Sequence, residues 1–239
     1  MPWVFMPDLV VWQPQFNLPD IFLMELLIKL ILSYLLGSVS GSMLMGKLKG
    51  VDIREMGSGN AGGTNAFRTQ GALFAFCVLL IDILKGFIPT KFISVMNFSF
   101  LAGMGIDEKL LIILCGIAAI LGHVYPVYHR FKGGKGGGAA MGMILAIYWP
   151  SILIALILWI LILILTGFVG LGTMISSISI VCTAYLLRDS INNPYFFSFS
   201  IFLCLFIIYS HRSNIRRMLN KNENRFEKAM IFRKNHKLL

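Results

Sequence analysis

GGAAMGMILAIYWPSILIALILWILILILT, residues 137–166, decides the fold. Read as continuous helix it is one long span kinked at Pro150; read as reversing there, it is two. Further apolar runs flank it at Met24–Met45, Ala72–Val95, Lys109–Tyr128, Phe168–Leu187 and Pro194–Ser210. Runs of about 17 to 25 apolar residues cross a bilayer as helices, and shorter ones do so when packed against protein. Positive residues in short loops stay on the cytoplasmic side, so Lys and Arg counts choose between the two readings. With a reversal, Lys47, Lys49, Arg54 and Arg68, then Arg130, Lys132 and Lys135, and finally nine basic residues after Ser210 share one face. Only Lys91, Lys109 and Arg188 then lie on the other, sixteen against three. A single bent span breaks that agreement, because it moves either the Arg68 and Lys135 loops or the basic tail across the membrane. The sequence therefore predicts an all-α integral membrane protein with seven transmembrane helices, the N-terminus outside and the C-terminus cytoplasmic. Residues 1–23 form an external extension, 24–210 the membrane domain and 211–239 a basic cytoplasmic tail.

Composition agrees: the chain is 57% hydrophobic and 13% charged, with a mean hydropathy of +0.78, far from soluble averages. The net charge of +10 flanks apolar spans or sits in the tail rather than alternating with exposed aromatics, which excludes nucleic acid and points to membrane lipids and an anionic substrate. Cys77, Cys115, Cys182 and Cys204 fall inside apolar runs without metal-binding spacing and read as reduced core residues. No basic residue precedes Lys29 and no small-residue cleavage site follows the first run, so that span is expected to stay in the membrane. Trp3, Phe5, Trp12 and Phe16 read as an aromatic anchor at the outer interface.

Four polar stretches interrupt the apolar chain: Gly57–Asn65 with Arg68, Phe131–Gly138, Val169–Thr173 and His211–Asn214. The charge count puts all four on the cytoplasmic face. Glycine lets backbone N–H groups approach an anion while a nearby cation supplies countercharge. Gly57, Ser58, Gly59, Asn60, Thr64 and Asn65 form one such loop, with Arg68 able to grip phosphate bidentately. Gly133, Gly134, Lys135 and Gly136 form a second, leading into a helix N-terminus whose dipole favours anions. His211 and Asn214, three apart, are placed to hold or deprotonate a hydroxyl. Asp82 and Lys85, also three apart inside a span, are expected to pair there. Walker, H-E-x-x-H and G-x-S-x-G patterns are missing, and so is a carboxylate pair suited to a metal, so neither metal nor cofactor is implied. Phosphate binders without a strong nucleophile suit a donor that is already activated.

In this order Leu36-Gly37-Ser38, Lys47–Arg54, the Gly57–Arg68 loop, Asp82-Ile83-Leu84-Lys85-Gly86, Leu121-Gly122-His123, Tyr125-Pro126-Val127, the Phe131–Gly136 loop, and His211-Arg212 with Asn214 resemble the PlsY family of bacterial membrane acyltransferases. The resemblance runs from about Tyr34 to Asn224. It implies a seven-span fold in the bacterial cytoplasmic membrane, active at the cytoplasmic face. It also implies transfer of an acyl group from acyl-phosphate to the sn-1 hydroxyl of glycerol 3-phosphate, giving lysophosphatidic acid for phospholipid biosynthesis. Ser58, Arg68, Lys135, His211 and Asn214 take catalytic or substrate-binding roles by that resemblance, Asn60 and Asn65 support the first loop, and the glycine loops hold phosphate. Two departures stand out. Val169-Gly170-Leu171-Gly172-Thr173 replaces a usual Val-Ser-Leu-Ala-Ser, and Gly137-Gly138-Ala139 replaces Val-Ala-Thr, each losing a hydroxyl. A transporter of phosphate-bearing anions and an inactive or altered-acceptor paralogue are the alternatives; the gathering of the motifs at one face rather than at the bilayer midplane argues against the first.

Overall fold

The computed structural model describes residues 18–96 and 107–231. The expected aromatic anchor and the last eight residues of the tail lie outside them. Among the described residues no strand occurs.

The first run is broken in two. Helix α1 (Leu18–Gly37) stops, and α2 (Gly41–Lys49) restarts at an angle of 41°. Ser40 caps α2 by accepting the Met43 N–H, and Lys47 and Lys49 occupy its last turn, where the helix dipole favours cations. The break is held from a distance: Lys85 donates to the Val39 carbonyl at 2.8 Å and lies 2.9 Å from Asp82. The expected Asp82–Lys85 pair is present, buried, and His123 faces it with Nδ1 3.5 Å from the same carboxylate oxygen. An isolated charge is costly in an apolar bundle, so the ion pair and the carbonyl freed at the helix break satisfy one another.

Helix α3 (Gly63–Gln70) is short and polar, and leads through Gly71 into α4 (Ala72–Ile88). A wider turn over Pro89–Ile93 extends α4, Pro89 having no N–H to donate. Helices α5 (Glu108–Val124), α6 (Gly137–Tyr148), α7 (Pro150–Thr166), α8 (Val169–Leu186), α9 (Phe196–Ser210) and α10 (Arg212–Leu219) follow. The chain does turn back at Trp149–Pro150. A Cβ on Gly137 would lie 3.6 Å from Thr173 Cγ2, and Trp159 Nε1 is 3.3 Å from the Thr173 hydroxyl, whereas Ser151, between them in sequence, bonds Thr183 at 3.1 Å. Helices α6 and α7 therefore run opposite ways along α8.

Ala72–Ile93, Glu108–His129 and Val169–Leu186 are each long and apolar enough to cross a membrane, and the bent pairs α1–α2 and α9–α10 raise the number to five; α6 and α7 are shorter. Lipid tails are as apolar as leucine, so helices associate through close packing of small residues. A Cβ on Gly86 would lie 2.0 Å from the Ala139 carbonyl oxygen, and one on Gly142 1.9 Å from that of Ile83, which locks α4 to α6. Gly37 and Gly122 do the same for α1 and α5, where a Cβ would lie 2.2 Å from the carbonyl oxygens of Ala119 and Tyr34 respectively. Ile120, Met143, Ile180, Phe196 and Leu203 fill the other side of the core, while Leu73, Ile157 and Leu205 point outward.

Candidate active site

One buried amide organises the first glycine loop. Asn65 Oδ1 accepts the Ser58 N–H, and its Nδ2 donates to the carbonyls of Ile53 and Met56, all at 2.9 Å. Gly57 (φ +58°) lies in the left-handed region, and a Cβ there would sit 2.4 Å from Asn65 Oδ1, so no other residue fits. Gly59 turns the same way, Asn60 packs its amide against Gly62, and Thr64 lies in the first turn of α3.

The second loop differs from expectation in one respect. The N–H groups of Gly133 and Gly134 donate to the carbonyls of Val124 and His123 at 3.2 and 3.1 Å. Those amides are committed to the end of α5 and do not cradle an anion. Their smallness is what counts, since a Cβ on Gly134 would lie 2.1 Å from His123 Nε2. Lys135 and the start of α6, which Gly136 (φ +91°) introduces, are not committed to the end of α5 in this way.

Lys135 points its ammonium at Asn214 Oδ1, and its carbonyl accepts the Ser210 hydroxyl at 2.8 Å. Asn214 Nδ2 in turn donates to Glu223 Oε1 at 3.0 Å, and Arg217 binds the other Glu223 oxygen at 2.7 Å. The amide is thus oriented by a cation on its oxygen and a carboxylate on its nitrogen. Burial lowers the Lys135 pKa to about 8, with Arg217 nearby pushing the same way. His211, just beyond α9, places Nδ1 2.8 Å from the Ile207 carbonyl. A carbonyl can only accept, so Nδ1 carries the hydrogen and Nε2 is left as acceptor. Burial pushes this imidazole down to about 4, keeping it neutral at pH 7.

Arg68, in the last turn of α3, donates to the Asn224 carbonyl at 3.0 Å and lies within the fields of Glu223 and Arg217. Lys135 feels Arg68, Arg217 and Glu223, and His211 feels Lys135 and Glu223. Four of the sequence-derived residues, Arg68, Lys135, His211 and Asn214, are therefore brought together. Ser58, Asn60 and Thr64 are not hydrogen-bonded to that cluster among the described residues; Asn65 ties their loop to α3 instead. Glu223 and Arg217 escaped the sequence reading. Glu223 carried a signal, being the sole acidic residue between Asp189 and Glu227 in a basic stretch.

The two lost hydroxyls differ in consequence. A Cβ on Gly170 would sit 3.1 Å from Asn214 Nδ2, so this position borders the site. Ala139 is fully buried against α4 and does not. Thr173 cannot stand in, because its hydroxyl donates to the Val169 carbonyl and accepts from Trp159.

Residues 27–221 match the family model described as glycerol-3-phosphate acyltransferase. The chain is 40% identical over 196 residues to the glycerol-3-phosphate acyltransferase of Bacillus subtilis, covering 81% of this chain and 94% of the relative. It is 38% identical over 203 residues to that of Aquifex aeolicus, covering 85% of this chain and all of the relative. The crystal structure of PlsY (YgiH), an integral membrane glycerol 3-phosphate acyltransferase, in its glycerol 3-phosphate form superposes with a TM-score of 0.74 at 37% identity, over 84% of this chain and 95% of that one. The lysophosphatidic acid form gives 0.72.

Proposed function

Because the chain belongs to the glycerol-3-phosphate acyltransferase family and shares the fold of the integral membrane PlsY enzymes, we propose that it transfers the acyl group of an acyl-phosphate to the sn-1 hydroxyl of glycerol 3-phosphate, releasing lysophosphatidic acid and phosphate. The observation that carries this reading is the convergence of Lys135, Arg68, Asn214 and His211 at one end of the bundle. Two cations from separate loops suit two phosphates, one on the donor and one on the acceptor. The acyl chain lies among the helices within the bilayer, and seven crossings with an external N-terminus keep the site at the cytoplasmic face of a bacterial inner membrane.

In this mechanism the acceptor hydroxyl oxygen bonds to the acyl carbonyl carbon, and the bond from that carbon to the phosphate oxygen breaks. Phosphate leaves with the electron pair, so no enzyme-bound acyl group is needed. Lys135 and Arg68 hold the phosphates in line and offset the charge that develops on the leaving group. His211 Nε2 accepts from the hydroxyl and aims it. With a pKa of about 4 it is a weak base, so the proton passes on to a phosphate oxygen. Ser58 and the first loop, ordered by Asn65, close the phosphate side.

The test is to incubate purified protein in lipid with palmitoyl-phosphate and glycerol 3-phosphate, without added metal. Lysophosphatidic acid and free phosphate should appear together and vanish in Lys135→Ala with the fold intact. Folded protein that makes neither, or a Lys135→Ala variant that works normally, overturns the assignment.

A further inference from the structure

The match to the family ends at residue 221, yet the chain beyond it does not trail away. Helix α10 closes with Lys221 in the left-handed region (φ +59°) and the Asn222 N–H bonded back to the Arg217 carbonyl at 2.8 Å. The turn sends residues 222–231 back across the end of the bundle that carries Lys135. Their outer end is pinned to the α7–α8 turn. The Phe226 N–H donates to the Gly167 carbonyl at 2.7 Å and the Ile231 N–H to that of Ile164 at 3.0 Å, while the Arg225 guanidinium covers the Phe168 ring at 4.8 Å. Met230 fills the space over Gly167 that a side chain would need.

The same strap reaches α3. The Phe226 ring meets Phe67 edge-on, with centroids 5.3 Å apart and planes at 87°. The next residue on α3, Arg68, donates to the Asn224 carbonyl at 3.0 Å. Helix α3 spans only eight residues and is followed by Gly71 (φ +86°), where no Cβ restricts the backbone. A guanidinium on such a helix has many orientations open to it. Here an edge-to-face aromatic pair and a carbonyl hydrogen bond restrict it, both supplied by the strap.

Resting on the acyltransferase reading, we infer that residues 224–231 are a positioning element for Arg68. The strap ties α3 to the α7–α8 turn through the Phe226–Phe67 contact and the Asn224 carbonyl, and so presets the guanidinium for substrate phosphate. Asn224 and Phe226 touch no reacting atom. They act through Arg68, and their loss should therefore appear as weaker binding of a phosphate-bearing substrate rather than as slower turnover.

The experiment compares full-length wild type, Phe226→Ala, Phe226→Tyr, Phe67→Ala and the double variant Phe67→Ala/Phe226→Ala with palmitoyl-phosphate and glycerol 3-phosphate, with thermal unfolding of each in detergent. Phe226→Ala should raise the KM of one phosphate substrate about 3- to 10-fold, the worth of one edge-to-face pair, with kcat nearly unchanged. Phe226→Tyr keeps the ring and should restore the KM. The double variant should be no worse than the worse single one, since both remove the same contact. An unmoved KM in folded Phe226→Ala overturns the inference and leaves the acyltransferase reading standing. So does a lowered KM, which would make the strap an obstacle to substrate. Loss confined to kcat and unfolding temperature would likewise overturn it, reducing the strap to a stabilising role. A wild type without product overturns both readings.

Discussion

Lys135 is the residue on which acid–base behaviour turns. Burial brings its pKa to about 8, so the ammonium proposed to hold phosphate is present below that pH and is lost above it. The dependence of kcat/KM on pH reports groups of the free enzyme. It should fall about tenfold per unit above roughly pH 8, and Lys135→Arg, which keeps its charge throughout, should lack that limb while losing some rate to altered geometry. An unchanged alkaline limb in the Arg variant would assign the titration elsewhere. Gly170 gives a steric test of the neighbouring amide. Its missing Cβ would already lie 3.1 Å from Asn214 Nδ2, so Gly170→Val should push Asn214 off Lys135 and cut kcat/KM at least about tenfold, as measured by lysophosphatidic acid formation. A fully active Val variant would show that Asn214 need not stay where it is. These residues were readable in the sequence because cations and glycines are conspicuous in an apolar chain. The spent amides of Gly133 and Gly134 were not, because their partners lie on α5 and only folding identifies them.

At the scale of elements, most of the fold was readable and the exceptions share a cause. The longer helices follow the apolar runs, and the reversal at Pro150 followed from charge placement. The break between α1 and α2 was invisible, since Ser38, Val39 and Ser40 contain no proline and the stabilising contact comes from Lys85, 46 residues away. The strap was equally hidden: a basic tail reads as a surface segment until Phe226 finds Phe67. Two substitutions test how elements are held. Asn65→Ala removes an amide that satisfies three backbone groups of the first loop, and leaving them unpaired costs on the order of 2 kcal/mol or more. Thermal unfolding should shift down and the KM for glycerol 3-phosphate should rise; a loop that binds normally without Asn65 would need another organiser. Gly142→Ala would drive a methyl to 1.9 Å from the Ile83 carbonyl oxygen. Prying α6 from α4 should cost about 1 to 3 kcal/mol, and the unfolding temperature in detergent should drop even if catalysis at low temperature survives.

For the molecule as a whole, positive charge and the candidate site share one end. Lys135, Arg68, Arg217 and Asn214 converge there, whereas the opposite end carries a smaller polar set in which Lys109 bonds Asn192 and Tyr195 bonds Asp107. Retention of positive loops on the inner side is the ground on which the site end is proposed to face the cytoplasm. For the proposed acyl transfer the consequence is chemical as well as topological, because glycerol 3-phosphate and phosphate are too polar to cross lipid and would have to enter and leave on the site's side. Cysteines introduced one at a time into a variant lacking the four native cysteines make this measurable in intact cells with a membrane-impermeant thiol reagent. Asp189→Cys, in the exposed turn after α8, should be labelled from outside, and Lys132→Cys, in the second loop, only after the cells are opened. Labelling of Lys132→Cys in intact cells would invert the protein. Since an inverted site would face away from cytoplasmic substrate, that one result would also remove the physiological basis for the acyl transfer proposed above.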